Sequence, residues 1–170
     1  MNAEASGIPD AVVDALLRAS RALTEITARC LSSVNEEVTL AQFRTLQALS
    51  THGAQTVTAL AERLDVHAST MTRMCSRLVT RDLVARTPSA VDRREVVIEL
   101  SGTGNEVVTD VMQNRRSEFD VIVQRLSVDE QRAVVDALDA FSDAAGSEKG
   151  PTIAAIHGGT GAYDPAEEDR

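Results

Sequence analysis

The stretch ASTMTRMCSRLVTR, residues 68–81, carries Arg73, Arg77 and Arg81 at intervals of four, among the hydroxyls of Ser69, Thr70, Thr72, Ser76 and Thr80. On a helix that interval stacks the guanidinium groups along one side, where like charges oppose each other by about 0.2–0.5 kcal/mol per pair unless an anion lies against them. No acidic residue occurs between His67 and Arg81 to supply one. A second charged cluster, Asp92-Arg93-Arg94, stands directly before the alternating run Val96, Ile98, Leu100. The planar guanidinium fork and the small hydroxyls are the groups that bind phosphate oxygens and the edges of nucleic-acid bases, so the chemistry on offer is anion recognition.

Other chemistry finds little support. His52, His67 and His157 lie far apart, and no Ser/His/Asp arrangement or metal-ligand spacing surrounds them, so we expect neither an enzyme, a metal site nor a cofactor. Cys30 and Cys75 form no CxxC pair, which argues against zinc and against a disulfide framework; both read as packing residues. Phe43, Phe119, Phe141 and Tyr163 are the only aromatic residues, too few for a base-stacking platform. A net charge of -9 over 170 residues opposes indiscriminate attraction to phosphates. The average conceals a local excess, because residues 54–101 hold seven arginines against six acids and are therefore +1, leaving -10 for the remainder.

The N-terminal MNAEASGIPD has no basic and apolar leader, and no run of about 18 apolar residues occurs, which predicts a soluble, cytoplasmic protein without membrane contact. Val12, Leu16, Ala19, Leu23, Ile26 and Cys30 form an apolar seam on a helix from about 10 to 32. Thr39 and Gln42 have capping-box spacing before a second helix from about 40 to His52, with Gly53 suited to its end. Thr56 is the expected N-cap of a third helix bearing Val57, Leu60, Ala61 and Leu64. A three-residue connection, Asp65-Val66-His67, leads to a fourth helix whose inward stripe is Met71, Met74, Cys75, Leu78 and Val79. That leaves Ser69, Thr70, Arg73, Ser76, Arg77 and Thr80 outward, with Arg81 ending the face and Thr72 at its margin. Two short helices joined so tightly have helix-turn-helix proportions.

Leu83 to Thr87, a turn at Pro88 to Val91 and a strand over 94–100 then predict a two-stranded hairpin. A long helix from about Thr103 to Arg125 follows, bearing Val107, Val108, Val111, Met112, Phe119 and Ile122, with Leu126 just beyond. Ser127 and Glu130 repeat the capping-box pattern before a last helix, with Val134, Val135, Leu138 and Phe141, ending near Ala145. Residues 146–170 are rich in Gly and Pro with an acidic finish and read as a disordered tail. The fold class is mainly α with a small β-hairpin, a winged helix-turn-helix.

The stretch TVTALAERLDVHASTMTRMCSRLVTRDLVARTPSAVDRREVVIELSGTG resembles the core of the MarR (multiple antibiotic resistance regulator) family, in its D-R-R wing, its strand ending at Leu100-Ser101 and its Gly104 closing the next turn. The resemblance implies a sequence-specific transcriptional regulator, a repressor that binds a pseudo-palindromic operator as a homodimer and is released by a small aromatic or anionic ligand. Its partners are then double-stranded DNA, a second copy of itself and that effector. It implies further that Ser69, Thr70, Thr72, Arg73 and Arg77 enter the major groove, that Arg94 enters the adjacent minor groove held extended by Asp92, and that Arg93 faces phosphate. The family usually has Gly where this chain has Asp82, a residue that tolerates the left-handed conformation less freely.

The same resemblance divides a single domain, 1–145, into a DNA-binding lobe at 39–101 and dimerisation helices at 10–35 and 103–145. Val12, Leu16, Leu23, Ile122, Leu126 and Leu138 are the expected interface residues, since so apolar a seam left exposed would be a liability in a monomer. Two alternatives stay open, a winged helix used only for protein contacts and a regulator that senses oxidation of its cysteines.

Overall fold

A computed structural model of the chain describes residues 7–89 and 95–146. Asp92, Arg93, Arg94 and the tail beyond Gly146 lie outside the described residues. The elements run α1 (Gly7–Val34), α2 (Leu40–His52), β1 (Gln55–Thr56), α3 (Val57–Arg63), α4 (Ala68–Thr80), β2 (Val84–Pro88), β3 (Val96–Leu100), α5 (Gly102–Val123) and α6 (Val128–Ala144). The chain divides into two compact units after Ile122.

In the first unit the apolar stripes expected from the sequence meet in one core. Phe43, Leu46, Leu60, Met71, Leu78 and Ile98 are all buried to 1% exposure or less. Each such side chain stabilises the fold by about 1.5–3 kcal/mol relative to leaving it in water. Thr45 is buried with them, and its hydroxyl stays satisfied by donating to the Ala41 carbonyl at 3.2 Å. Both capping boxes form: Thr39 Oγ1 accepts from the Gln42 amide and Ser127 Oγ accepts from the Glu130 amide, while each partner side chain reaches back to the cap amide. The Ser127 hydrogen bonds also hold the Glu130 carboxyl below its usual range.

The sheet corrects the expectation of a two-stranded hairpin. It has three strands in the order β1-β3-β2, with Gln55 opposite Ile98, Thr56 opposite Val97, and β2 paired to β3 from Val84–Leu100 to Pro88–Val96. β1 is two residues long, and two residues display no alternation for a pattern argument to find. The connection before α4 is also longer than expected, because α3 ends at Arg63 and Leu64 already leaves the helix. Asp65 turns that corner with a φ of 53°, and Asp82 takes a φ of 56° just after α4, the left-handed conformation its position asks for.

Gly104 does not close a turn; it lies in the first turn of α5, and its value is steric. A Cβ built there would stand 1.9 Å from the Leu83 carbonyl oxygen, which already accepts from the Ser101 amide. Gly104→Ala should therefore destabilise the protein by about 2–3 kcal/mol, because a backbone carbonyl in a packed junction cannot yield to the added methyl. A lower urea midpoint with an unchanged m-value is the expected reading, and a midpoint equal to the parent's would contradict it.

Not all the apolar stripe is covered. Along α1, Ile26, Cys30 and Leu31 are buried, whereas Val12 and Leu23 are exposed and Leu16 is half-buried. Ile122 is exposed at the end of the first unit. The second unit, described by itself, has no buried residue on α6; Val134, Val135, Leu138 and Phe141 are 43–57% exposed, and Leu126 is half-buried.

Candidate nucleic-acid interface

α4 separates its two faces cleanly. Met71, Cys75 and Leu78 are fully buried and Met74 half-buried, with Val79 at the margin at 37% exposure. Ser69, Thr72, Arg73, Ser76, Arg77 and Thr80 are exposed, and Thr70 is half-buried. The hydroxyls of Thr72, Ser76 and Thr80 each donate to the carbonyl four residues back, at 2.8–3.0 Å. Their hydrogens are committed to the helix, so in this arrangement Thr72 and Thr80 offer outward lone pairs, while Ser76 accepts a hydrogen bond from Arg86.

Among the described residues, neither Arg73 nor Arg77 has an ion-pair or hydrogen-bond partner. Arg81, the third arginine of the expected stripe, is used differently. Its Nη1 donates to the Glu37 carbonyl, and its Nε lies 3.8 Å from the Glu37 carboxylate, which ties the end of α4 to the loop before α2. The surface exposure of that pair makes its ionic part weak, about 0–1 kcal/mol. Two guanidinium groups one turn apart remain without a partner among the described residues, on a helix without acids.

Two features escape sequence reasoning. The α4 N-cap is His67, which makes no side-chain capping bond, so the first amides of the helix are left for solvent or for an anion. A His where Ser, Thr, Asp or Asn is usual was the available signal. The other feature is Arg86 on β2, whose Nη2 donates to Ser76 Oγ at 3.0 Å. No periodicity announces such a contact.

The two wing strands bring Ser89 and Glu95 together, where the Ser89 amide donates to the Glu95 carbonyl at 2.9 Å. That bond closes the base of the segment carrying Asp92, Arg93 and Arg94, which itself lies outside the described residues. Both cysteines are buried, and burial pushes both thiols up, with the Glu118 carboxylate adding to the effect at Cys30. Such thiols hold their protons and react slowly.

Between α1 and α5 runs an open groove of about 510 Å³ whose lining includes Arg29, Cys30, Asn114 and Glu118. Arg29 and Glu118 are 3.2 Å apart across it. Nearby, the Arg115 guanidinium stands 5.6 Å over the Phe119 ring, and its Nε is buried without a hydrogen-bond partner. Among the described residues no cluster of His, Cys, Asp and Glu is suited to a metal ion, and no helix is long and apolar enough to cross a membrane.

A family model described as the MarR family matches residues 38–96. The chain is 34% identical over 94 residues to the HTH-type transcriptional repressor MdtR of Bacillus subtilis (strain 168), a match covering 55% of this chain and 61% of that relative. It therefore spans about three fifths of the relative's length. Among solved structures it is similar to RV1404 from Mycobacterium tuberculosis, at 40% identity and a TM-score of 0.77, covering 85% of this chain and 98% of that one. It is similar also to a MarR family protein from Bacillus stearothermophilus, at 25% identity and a TM-score of 0.71, covering 82% and 96% respectively.

Proposed function

This chain belongs to the MarR family of helix-turn-helix transcriptional regulators, and from that premise we propose that it is a sequence-specific repressor. It binds a pseudo-palindromic operator as a homodimer and is released by a small molecule. The observation that carries the reading is the pair of exposed guanidinium groups of Arg73 and Arg77, without a partner among the described residues, on a hydroxyl-rich helix directly after a short connection. A helix inserted in the major groove presents such groups to base edges and phosphates. The repressor name of the Bacillus relative supports the direction of control.

In this reading Ser69, Thr70, Thr72, Arg73 and Arg77 face the major groove, Arg93 a phosphate, and Arg94 the minor groove beside it, oriented by Asp92. Residues 39–101 form the DNA-binding lobe. The exposed Val12, Leu23, Ile122 and Leu138 and the half-buried Leu16 and Leu126, on 10–35 and 103–145, meet their counterparts in a second copy. Exposed apolar surface on this scale favours a two-fold partner over solvent. The open groove between α1 and α5, mostly apolar in surface with Arg29, Asn114 and Glu118 in its lining, supports a small-molecule effector. The buried cysteines, whose thiols are pushed up by burial, lend no support to oxidation as the signal.

Selection of the purified protein against random duplexes tests the reading. The expected product is a pseudo-palindrome with half-sites about one helical turn apart, ~10 bp. Recovery of no sequence above background, or of an asymmetric single site, would contradict it.

A further inference from the structure

Five arginines lie between residues 63 and 86, and they fall into two groups by what their guanidinium groups touch. Arg63 lies 3.0 Å from the His52 ring, Arg81 holds Glu37, and Arg86 holds Ser76. Arg73 and Arg77 hold nothing among the described residues. A cation kept for an external anion is expected to stand free; one engaged by the fold has another task.

Arg86 is the informative case, because its contact joins the two elements that must reach DNA together. It sits opposite Ile98 in the β2–β3 ladder. Directly opposed residues share a sheet face, so Arg86 leaves the sheet on the side of the buried Val84 and Ile98, toward the helices. From there it reaches α4 at mid-length. Ser76 Oγ receives its Nη2 hydrogen at 3.0 Å and at the same time donates to the Thr72 carbonyl at 2.9 Å. The hydroxyl is thus satisfied in both directions and has one orientation, which makes the contact directional. The positive charge also acts on the thiol of Cys75, the residue before Ser76, and so lies close along the helix.

We propose that Arg86 is a positioning residue for DNA recognition: its bond to Ser76 fixes the angle between strand β2 and helix α4, so that wing and recognition helix meet the duplex as one body. The inference rests on the DNA-binding reading above. An error of about an ångström in docking removes base contacts without removing any base-reading residue, so losing the strut lowers discrimination between operator and random DNA.

The test is a double-mutant cycle with Arg86→Ala and Ser76→Ala, titrated on the duplex recovered by selection with the parent protein and on a scrambled duplex, at several salt concentrations. Each single variant is expected to weaken operator binding about tenfold, and the double variant also about tenfold, since both changes remove the same bond. Ser76→Ala alters no charge and puts a better helix former on an exposed site, so it folds and keeps the parent's salt slope while losing discrimination. Ser76→Thr, which keeps the hydroxyl, stays within about twofold of the parent.

Two results overturn the proposal. Additive losses would mean that the two side chains touch DNA independently. A parent-like Ser76→Ala, alongside an Arg86→Ala that weakens both duplexes equally with a salt slope lower by about one per arginine, would make Arg86 a phosphate ligand. A parent that selects no sequence at all sinks the DNA-binding reading itself, and that failure is visible before any variant is made.

Discussion

Alanine at Arg73 should relax the base preference at one position of each half-site and weaken operator binding by about 1–3 kcal/mol per protomer, hence about 2–6 kcal/mol for a two-fold dimer. The size follows from the free state of the side chain: exposed, without a carboxylate among the described residues, it surrenders no internal bond when it turns to a base edge or phosphate. Arg77, one turn further along the same face, should behave alike at a different base pair. Arg81→Ala supplies the contrast. Its guanidinium is engaged by Glu37, so its loss should leave the pattern of preferred bases intact. Titrating each variant against the operator and its single-base substitutions separates these outcomes. If Arg73→Ala and Arg81→Ala weaken every duplex by the same factor, α4 does not read bases.

Arg94→Ala should weaken binding by a similar amount, about 1–3 kcal/mol per protomer, but with another signature. A guanidinium in a narrow minor groove responds to the negative potential of A·T-rich flanks, so the loss should be largest on operators with such flanks and small on G·C-flanked ones. The central bases should still be read. The Ser89 amide donates to the Glu95 carbonyl at 2.9 Å, and β2 and β3 pair from Val84–Leu100 to Pro88–Val96 on the described residues to either side of this segment. Asp92→Ala should reproduce a weaker form of the same defect, since it removes orientation and leaves the arginine's charge. Measured at several salt concentrations, an Arg94→Ala protein that holds both kinds of flanked operator as tightly as the parent would show that the wing does not insert.

Where a side chain's fate is set by its own helix, the sequence was readable. Met71, Cys75 and Leu78 recur at helical spacing and are buried; Arg73, Ser76 and Arg77 fall between them and are exposed. Capping is equally local, and both boxes formed where Thr39 and Ser127 stand three residues before Gln42 and Glu130. Tertiary partners were not readable. Arg81 looks in the sequence like the last member of the positive face, yet it reaches back to Glu37, and Arg86, on the first wing strand, reaches across to Ser76. An arginine stem spans enough distance that its partner depends on the packing of whole elements. Gly104 belongs to the same class: its necessity comes from Leu83, twenty-one positions earlier, and not from its own φ. The apolar seams of α1 and α6 show the opposite limit, since a stripe predicts that something covers it without saying what.

The junction around Gly104 also has a mechanical side. The Ser101 amide donates to the Leu83 carbonyl at 3.2 Å, the Ser101 hydroxyl donates to the Asp82 carbonyl at 2.5 Å, and the Gly104 amide donates back to that hydroxyl at 2.9 Å. With no room for even a methyl between Gly104 and Leu83, the head of α5 and the foot of the wing have no play between them. Packed contacts of this kind switch between discrete arrangements instead of deforming smoothly. The first turn of α5 is thus joined to the residues entering β2 without a gap, so any tilt that kept these three hydrogen bonds would have to carry Leu83 with it.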